Sequence, residues 1–249
     1  MNDVIIVVPC YNEARRLQTD RFLACLDERP QVSFLFVNDG STDDTLQVLG
    51  ALHAARGDRA RVLDGGVNQG KAEAVRRGIL AAIAFGPAYV GYWDADLATP
   101  LAELTAFLET IEARPEVELV MGARIKLLGR RVVRRLARHY LGRVFATAAS
   151  ITLRLGVYDT QCGAKVFRVT PTLADIFREK FTSRWIFDVE IIARMVAAHR
   201  CRNGTRIQDA IYELPLLEWQ DVGGSRIKLM DWPIAFVDLL RIKSRYLSS

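Results

Sequence analysis

Short apolar runs alternate with amphipathic stretches along the first half of the chain. Val4–Pro9, Phe34–Asn38, Arg61–Leu63, Tyr89–Trp93 and Leu119–Gly122 are rich in Val, Ile, Leu and aromatics and have the length of buried strands. Between them, Ala14–Glu28, Asp43–Ala55, Lys71–Phe85 and Pro100–Ala113 carry apolar residues at helical spacing. Ser41 or Thr42 can cap the second helix, with acidic residues in its first turn. Pro100 suits the first turn of the fourth. Strands alternating with helices predict right-handed βαβ units. The expected fold class is α/β, with a Rossmann-like, mostly parallel sheet flanked by helices. Ligands of such sheets bind beyond the carboxyl ends of the strands.

The second half is less regular. Arg131–Leu155 reads as a long basic helix or helix pair, Lys165–Val169 as a strand and Phe187–Ala198 as a helix. Arg206–Leu214 reads as another strand and Asp231–Tyr246 as a closing amphipathic helix. With no internal repeat and no long Gly/Ser/Pro linker, one domain over residues 1–249 with a decorated C-terminal part is the expected organisation.

Charge adds an asymmetry. The 249 residues include 34 Lys and Arg against 29 Asp and Glu, a net charge of +5. Nine of the basic residues fall between Leu119 and Tyr158, where there is no acidic residue. The remainder holds 25 basic and 29 acidic residues, a net −4. A slightly acidic body thus carries one strongly basic segment. Arg130, Arg131, Arg134, Arg135 and Arg138 recur there at helical spacing with Val132, Val133, Leu136 and Leu141. A basic amphipathic helix of this kind reads as an interfacial helix on anionic lipid or as a solvated face. No nucleic-acid motif accompanies it, so nucleic acid is not an expected partner. Trp232, Phe236, Leu239 and Leu240, near Arg241, Lys243 and Arg245, form either a second such helix or a core-packing one.

No uncharged run reaches the roughly 18–20 apolar residues of a spanning helix. The N-terminus carries no basic segment followed by an apolar signal core. Cys10, Cys25, Cys162 and Cys201 are scattered and read as reduced thiols, with no disulfide framework or zinc site implied. The expected location is the cytoplasm, with peripheral contact at the inner face of a membrane.

The candidate chemistry clusters at the predicted strand ends. The first strand leads into VVPCYNEA (Val7–Ala14) and the second into VNDGSTDDT (Val37–Thr45). Asp39 can accept hydrogen bonds from a base or ribose, or serve as a loop-capping residue. After the third strand comes NQGKAEAVRRG (Asn68–Gly78), in which Gly70 permits close approach and Lys71 opens a helix whose amides favour anions. Neither GxxxxGK[ST] nor GxGxxG is present. The fourth strand leads into YWDADLATP, where Asp94 and Asp96 share one side of an extended chain. Two like charges so close call for a cation, and Mg²⁺ typically takes one or two carboxylates plus substrate phosphates.

These four motifs, in this order and spacing, resemble a family 2 glycosyltransferase with the GT-A fold. The later segments MGAR (Met121–Arg124), DTQCGAKVF (Asp159–Phe167), WIFDVE (Trp185–Glu190), YELPLLEW (Tyr212–Trp219) and GGSRIK (Gly223–Lys228) resemble the branch that acts on polyprenyl phosphates. That branch comprises the dolichyl-phosphate glucosyltransferases and the related mannosyl synthases, and DTQCGxKxF is closer to the glucosyl type. The resemblance implies a nucleotide-sugar-binding half, residues 1–125, and an acceptor-side half, residues 126–249. It implies that Pro9, Tyr11, Glu13, Asp39, Lys71 and Asp94 hold the nucleotide. Asp94 and Asp96 would bind Mg²⁺ or Mn²⁺, with Asp96 the more direct ligand.

The reaction expected from the resemblance is inverting transfer of a hexose, glucose from UDP-glucose in the first instance, to a polyprenyl or dolichyl phosphate. GDP-mannose as donor, a soluble acceptor, and a non-catalytic nucleotide-sugar-binding module are the alternatives. A phosphate acceptor is already ionised near neutral pH and needs little help from a base, whereas an alcohol needs one. Asp159 is the candidate for orienting the nucleophile or acting as base. Arg124 and Arg131 are candidate catalytic cations, with Arg130, Gln161, Lys165 and Asp188 on the acceptor side. Lys165 reads equally as a strand charge, and Asp188 and Glu190 equally as capping residues.

Overall fold

The alternation of apolar runs is realised as a seven-stranded sheet. In the computed structural model, residues 3–133, 136–200, 206–222 and 231–248 are described. In chain order the elements are β1 (Val4–Cys10), α1 (Thr19–Glu28), β2 (Val32–Asn38), α2 (Thr45–Arg56), β3 (Ala60–Asp64), α3 (Lys71–Ile83) and β4 (Tyr89–Trp93). Then come α4 (Leu104–Glu112), β5 (Leu119–Ala123), β6 (Arg131–Val133), α5 (Leu136–Leu153), β7 (Ala164–Arg168) and α6 (Leu173–Arg178). The chain closes with α7 (Phe187–Arg200), α8 (Ile207–Ala210), β8 (Ile211–Pro215), β9 (Glu218–Gln220) and α9 (Asp231–Tyr246).

The strand order is β3-β2-β1-β4-β7-β5-β8. β1 to β4 are mutually parallel, as are β5 and β8, while β7 runs antiparallel between β4 and β5. The consequence for function is direct. The carboxyl ends of β1, β2, β4 and β5 lie on the same edge as the start of β7. The Asp159–Gly163 turn therefore lands beside the DxD segment, although 63 positions separate Thr99 from Cys162, whose side chains touch.

The strands are hydrophobic on both faces because both are covered. Along β1, Ile5 and Val7 pack with Leu35, Val37 and Tyr92 toward one set of helices. Val4, Ile6 and Val8 pack with Phe34, Phe36 and Trp93 toward the other. Complete burial of each such side chain is worth roughly 1.5–3 kcal/mol. Register is thereby fixed, since a one-residue slip would exchange the two faces.

Five expected elements differ. The Arg206–Leu214 run is not one strand: Ile207–Ala210 forms a short helix and the strand runs Ile211–Pro215. The other four differences have physical causes. The first helix starts at Thr19 rather than Ala14, because Glu13 O accepts Arg16 N and Leu17 N in a turn and Ala14 N is taken by Thr45 Oγ1. Neither Ser41 nor Thr42 caps α2, which begins at Thr45 with no acidic residue in its first turn. Ser41 Oγ instead accepts Asn12 N. The fourth helix opens as a tight turn, Leu101–Glu103, with Pro100 just ahead of it. The expected basic helix is divided: Arg131–Val133 pair in parallel with Glu218–Gln220, and the helix begins at Leu136. Val132, buried against Trp219, supplies the β preference. Arg134 and Arg135, the side chain of Arg138, Cys201, the GGSRIK segment and the side chain of Trp232 lie outside the described residues.

Candidate active site

Hydrogen bonds between loops shape the donor side. Asn12 is left-handed at φ 55°, a conformation Asn tolerates, and its Oδ1 accepts Thr42 N. Glu13 N donates to Thr45 Oγ1 at 2.8 Å. The loops after β1 and β2 are thus laced together. Asp39, buried beyond β2, accepts Gln69 N at 2.9 Å on Oδ1 and Gly70 N at 2.8 Å on Oδ2. Gly70 has φ 95°, where a side chain would be strained. Asp39 and Gly70 together aim the first residue of α3, Lys71, across the strand ends. Its Nζ lies 2.5 Å from Asp94 Oδ1.

The Asp94–Pro100 turn is held from below. Trp93 Nε1 donates to Thr99 O at 2.7 Å, and Asp96 Oδ1 accepts Ala98 N at 3.0 Å. Leu97 is left-handed at φ 52°, a cost for a residue with a Cβ and a form of local strain that concentrates at functional sites. Asp94 N donates to Gly163 O at 2.9 Å, and the Asp94 carboxylate sits on the Gly163 Cα. A Cβ at position 163 would lie 2.0 Å from Asp94 Oδ2. Any larger residue there would have to displace the Asp94 carboxylate.

Electrostatics follow from this crowding. Burial and the Asp94 charge push the Asp96 carboxyl above its ordinary value, with Glu13 adding to the rise; the Ala98 amide and Lys71 act in the opposite sense. Burial pulls the Lys71 ammonium down, but Asp94, with Asp188 and Asp96, outweighs it and leaves the group raised.

The acceptor side is built from tighter pairs. Arg124, just past β5, forks onto Asp159 through Nε at 2.6 Å and Nη2 at 2.7 Å, and its backbone N donates to Asp159 Oδ2. The Arg124 guanidinium also faces the Trp219 ring at 5.2 Å. Burial lowers its proton affinity, and Asp159 more than restores it. Glu213 accepts Tyr158 N and Asp159 N at 2.8 Å each, fixing the turn; burial nevertheless raises its carboxyl. Underneath, Lys165 is fully buried and donates to Thr160 O, Cys162 O and Asp188 Oδ1. Tyr92 also donates to Asp188 Oδ1.

One cavity of about 630 Å³ joins the two sides. Pro9, Tyr11, Glu13, Asp39, Lys71, Asp94, Asp96, Arg124, Asp159, Gln161 and Asp188 all line it. Three expected residues do not. Arg130 donates to Pro215 O, Arg131 is exposed on β6, and Lys165 braces the turn from within the core. Arg131 stands outside because its segment is a strand paired to β9 rather than a helix over the cavity.

Several lining residues escaped the sequence reading. Arg16 pairs with Glu13 in the turn after β1; its position three residues after Glu13 was the available signal. Arg143 stacks on Tyr158, its guanidinium carbon 3.9 Å from the ring centroid, and was visible only as one of many arginines. Thr160 was not expected either; its Oγ1 and Nε2 of the expected Gln161 are buried without a hydrogen-bond partner among the described residues, and both residues line the cavity.

Asp94 and Asp96 fit a divalent ion that also binds diphosphate. They supply two carboxylates at one strand end, and Asp96 is raised by the charge of Asp94. No group of three or more His, Cys, Asp or Glu able to hold a metal occurs among the described residues.

This strand order, with paired carboxylates and a lysine at the carboxyl edge of the sheet, is the architecture of the GT-A glycosyltransferases. The model of glycosyl transferase family 2 matches residues 5–173, and the chain belongs to that family. It is 30% identical over 248 residues to a dolichyl-phosphate beta-glucosyltransferase (ALG5C) of Trichomonas vaginalis, spanning 95% of this chain and 69% of that protein. It is 30% identical over 264 residues to the dolichyl-phosphate beta-glucosyltransferase of Saccharomyces cerevisiae, spanning 97% and 74%. Among solved structures it is similar to glucosyl-3-phosphoglycerate synthase of Mycobacterium tuberculosis in complex with Mn²⁺ and uridine-diphosphate-glucose. There the TM-score is 0.67 at 18% identity, covering 98% of this chain and 79% of that one.

Proposed function

We propose that this glycosyltransferase moves glucose from UDP-glucose to a polyprenyl phosphate of the dolichyl type, with inversion, at the cytosolic face of a membrane. The observation that carries the reading is the single cavity in which the carboxylates and lysine of the donor side face the arginines of the acceptor side. The likeness to dolichyl-phosphate glucosyltransferases runs through both halves of the chain.

Pro9, Tyr11 and Asp39 bound the nucleotide end of the cavity, and Lys71 neutralises diphosphate. Asp94 and Asp96 hold Mg²⁺ or Mn²⁺, which supplies Lewis-acid stabilisation of the departing diphosphate charge. The acceptor phosphate oxygen attacks the anomeric carbon as its bond to UDP breaks. Asp159 is committed to Arg124 through a bidentate ion pair and a further bond from the Arg124 amide. Its role is to aim Arg124 at the acceptor. A phosphate nucleophile fits this arrangement, because it arrives ionised. Gln161 and Thr160 offer unpartnered polar atoms at the same wall.

The apolar tail requires an apolar exit. α5 and α9 pack side by side, the Phe145 and Phe236 rings 6.3 Å apart, and present Val144, Ile151, Val237 and Leu240 to the outside. On α9, Leu239 and Ile242 are core, while Ile234 and Leu240 are exposed. Arg143 and Arg241 flank these residues. Apolar exposure beside cations supports peripheral contact with anionic lipid. No helix among the described residues is long and apolar enough to cross a membrane.

A thermal-shift series with Mn²⁺ tests the donor. UDP-glucose raises the midpoint most, since a bound ligand stabilises by mass action. A larger rise with GDP-mannose than with UDP-glucose overturns the assignment of the sugar.

A further inference from the structure

Lys71 already occupies the position of a counter-ion. Its ammonium lies 2.5 Å from Asp94 Oδ1 and feels Asp188 and Asp96 as well. The pair faces the cavity: the side chains of Lys71 and Asp94 are 41% and 32% exposed, although Oδ1 itself is covered. The other lysine–aspartate pair here, Lys165–Asp188, is sealed at 0% and 7%. The Asp94 carboxylate is backed on one side by the Gly163 turn, where it fills the space a Cβ would take. Lys71 reaches it on a four-carbon stem from the first residue of α3, its ammonium 6.0 Å from the Phe187 ring. A short, backed carboxylate thus carries a cation on a long tether.

Resting on the donor reading above, we propose that Lys71 is a positioning residue that competes with the divalent cation for Asp94 and gives it up only when a nucleoside diphosphate arrives. The ion alone then has to displace an ammonium from one of its two carboxylates, so it binds weakly. The diphosphate supplies both further oxygen ligands for the ion and a new anionic partner for Lys71. Metal and nucleotide consequently bind with positive coupling, and part of that coupling is the release of this one ion pair.

The test is Mn²⁺ binding to the purified full chain, followed by electron paramagnetic resonance, with and without UDP. Lys71→Met binds Mn²⁺ alone about tenfold more tightly than the wild type, because a unit positive charge a few ångströms from the ion is gone. The enhancement by UDP shrinks correspondingly. Lys71→Gln, which keeps a polar side chain of similar length, behaves as Lys71→Met. Lys71→Arg retains a cation and stays as weak as the wild type. Mn²⁺ affinity in Lys71→Met and Lys71→Gln no higher than in the wild type overturns the competition, as does tight binding by Lys71→Arg. If the wild type binds no Mn²⁺ even with UDP, the metal-dependent donor reading falls and takes this inference with it. Wild-type binding with UDP but unchanged Lys71→Met removes the inference alone.

Discussion

The two sides of the cavity both balance carboxylates against cations, yet they do so at different depths. On the donor side, the Lys71–Asp94 pair has partly exposed side chains facing the cavity, and Asp96 is raised by burial and by Asp94. On the acceptor side, Asp159 and Asp188 are buried and each is already satisfied, by Arg124 and by Lys165 with Tyr92. An exposed pair contributes at most about 1 kcal/mol to stability, whereas breaking a buried one costs about 3–5 kcal/mol. On the proposed function, the donor side therefore holds charges that ligands can exchange. The acceptor side holds charges that shape a wall. Substitutions on the first should change chemistry with little effect on folding, and substitutions beneath the second should do the reverse.

The largest expected effect is on the donor side. Asp96→Ala removes a carboxylate proposed to hold the ion and lowers sugar transfer by more than about 10⁴-fold, or about 5 kcal/mol. Circular dichroism shows it folded as the wild type; near-normal turnover breaks the metal assignment. Next comes the buried brace. Lys165→Ala leaves Asp188 uncompensated and costs about 3–5 kcal/mol in urea unfolding. A loss below about 1 kcal/mol would mean that the pair is not needed to fix the wall. Arg124→Lys keeps the charge but loses the fork onto Asp159, and lowers kcat by about 10²-fold with the fold intact. Arg131→Ala, on exposed β6, changes stability by less than about 0.5 kcal/mol and leaves kcat unaltered. A large loss of kcat there would return Arg131 to the cavity.

The smallest effect is one of pH. The Asp96 carboxyl is raised in the folded protein, so folding favours its protonated form. That contribution is fully present below the unfolded value and is lost as pH rises through the folded one. Asp96→Asn accordingly raises the thermal midpoint at pH 7 relative to the wild type, and the gain vanishes at about pH 3, below the ordinary carboxylate range. An equal gain at both values would show that charge burial is not its origin.

The donor side was legible because its chemistry is local. Asp39, Asp94 and Asp96 follow apolar strands within three residues, and Lys71 opens the helix after β3, so finding β2 to β4 and α3 located them. Their partners were less visible. Asp39 reads from sequence as a ligand for base or ribose or as a loop-capping residue; its carboxylate accepts two amides of the Gln69–Gly70 loop and still lines the cavity. The acceptor side depends on pairing across the chain. Arg124 meets Asp159 only because β7 inserts antiparallel between β4 and β5, which periodicity does not reveal. Arg131 misled for a similar reason: arginines at helical spacing also fit a short strand when Val132 has a partner in Trp219. Arg143, by contrast, lay in the same basic run and reached the cavity, since α5 carries it there.

The most direct test of the central claim is transfer itself. Purified protein is incubated with UDP-glucose, Mn²⁺ and a short-chain polyprenyl phosphate, and the lipid is analysed by mass spectrometry and NMR. The account predicts a polyprenyl phosphate bearing one β-linked glucose, absent when the ion is chelated. Failure to form any glycosylated lipid while the protein still binds UDP-glucose, or formation of an α-linked product, would contradict it.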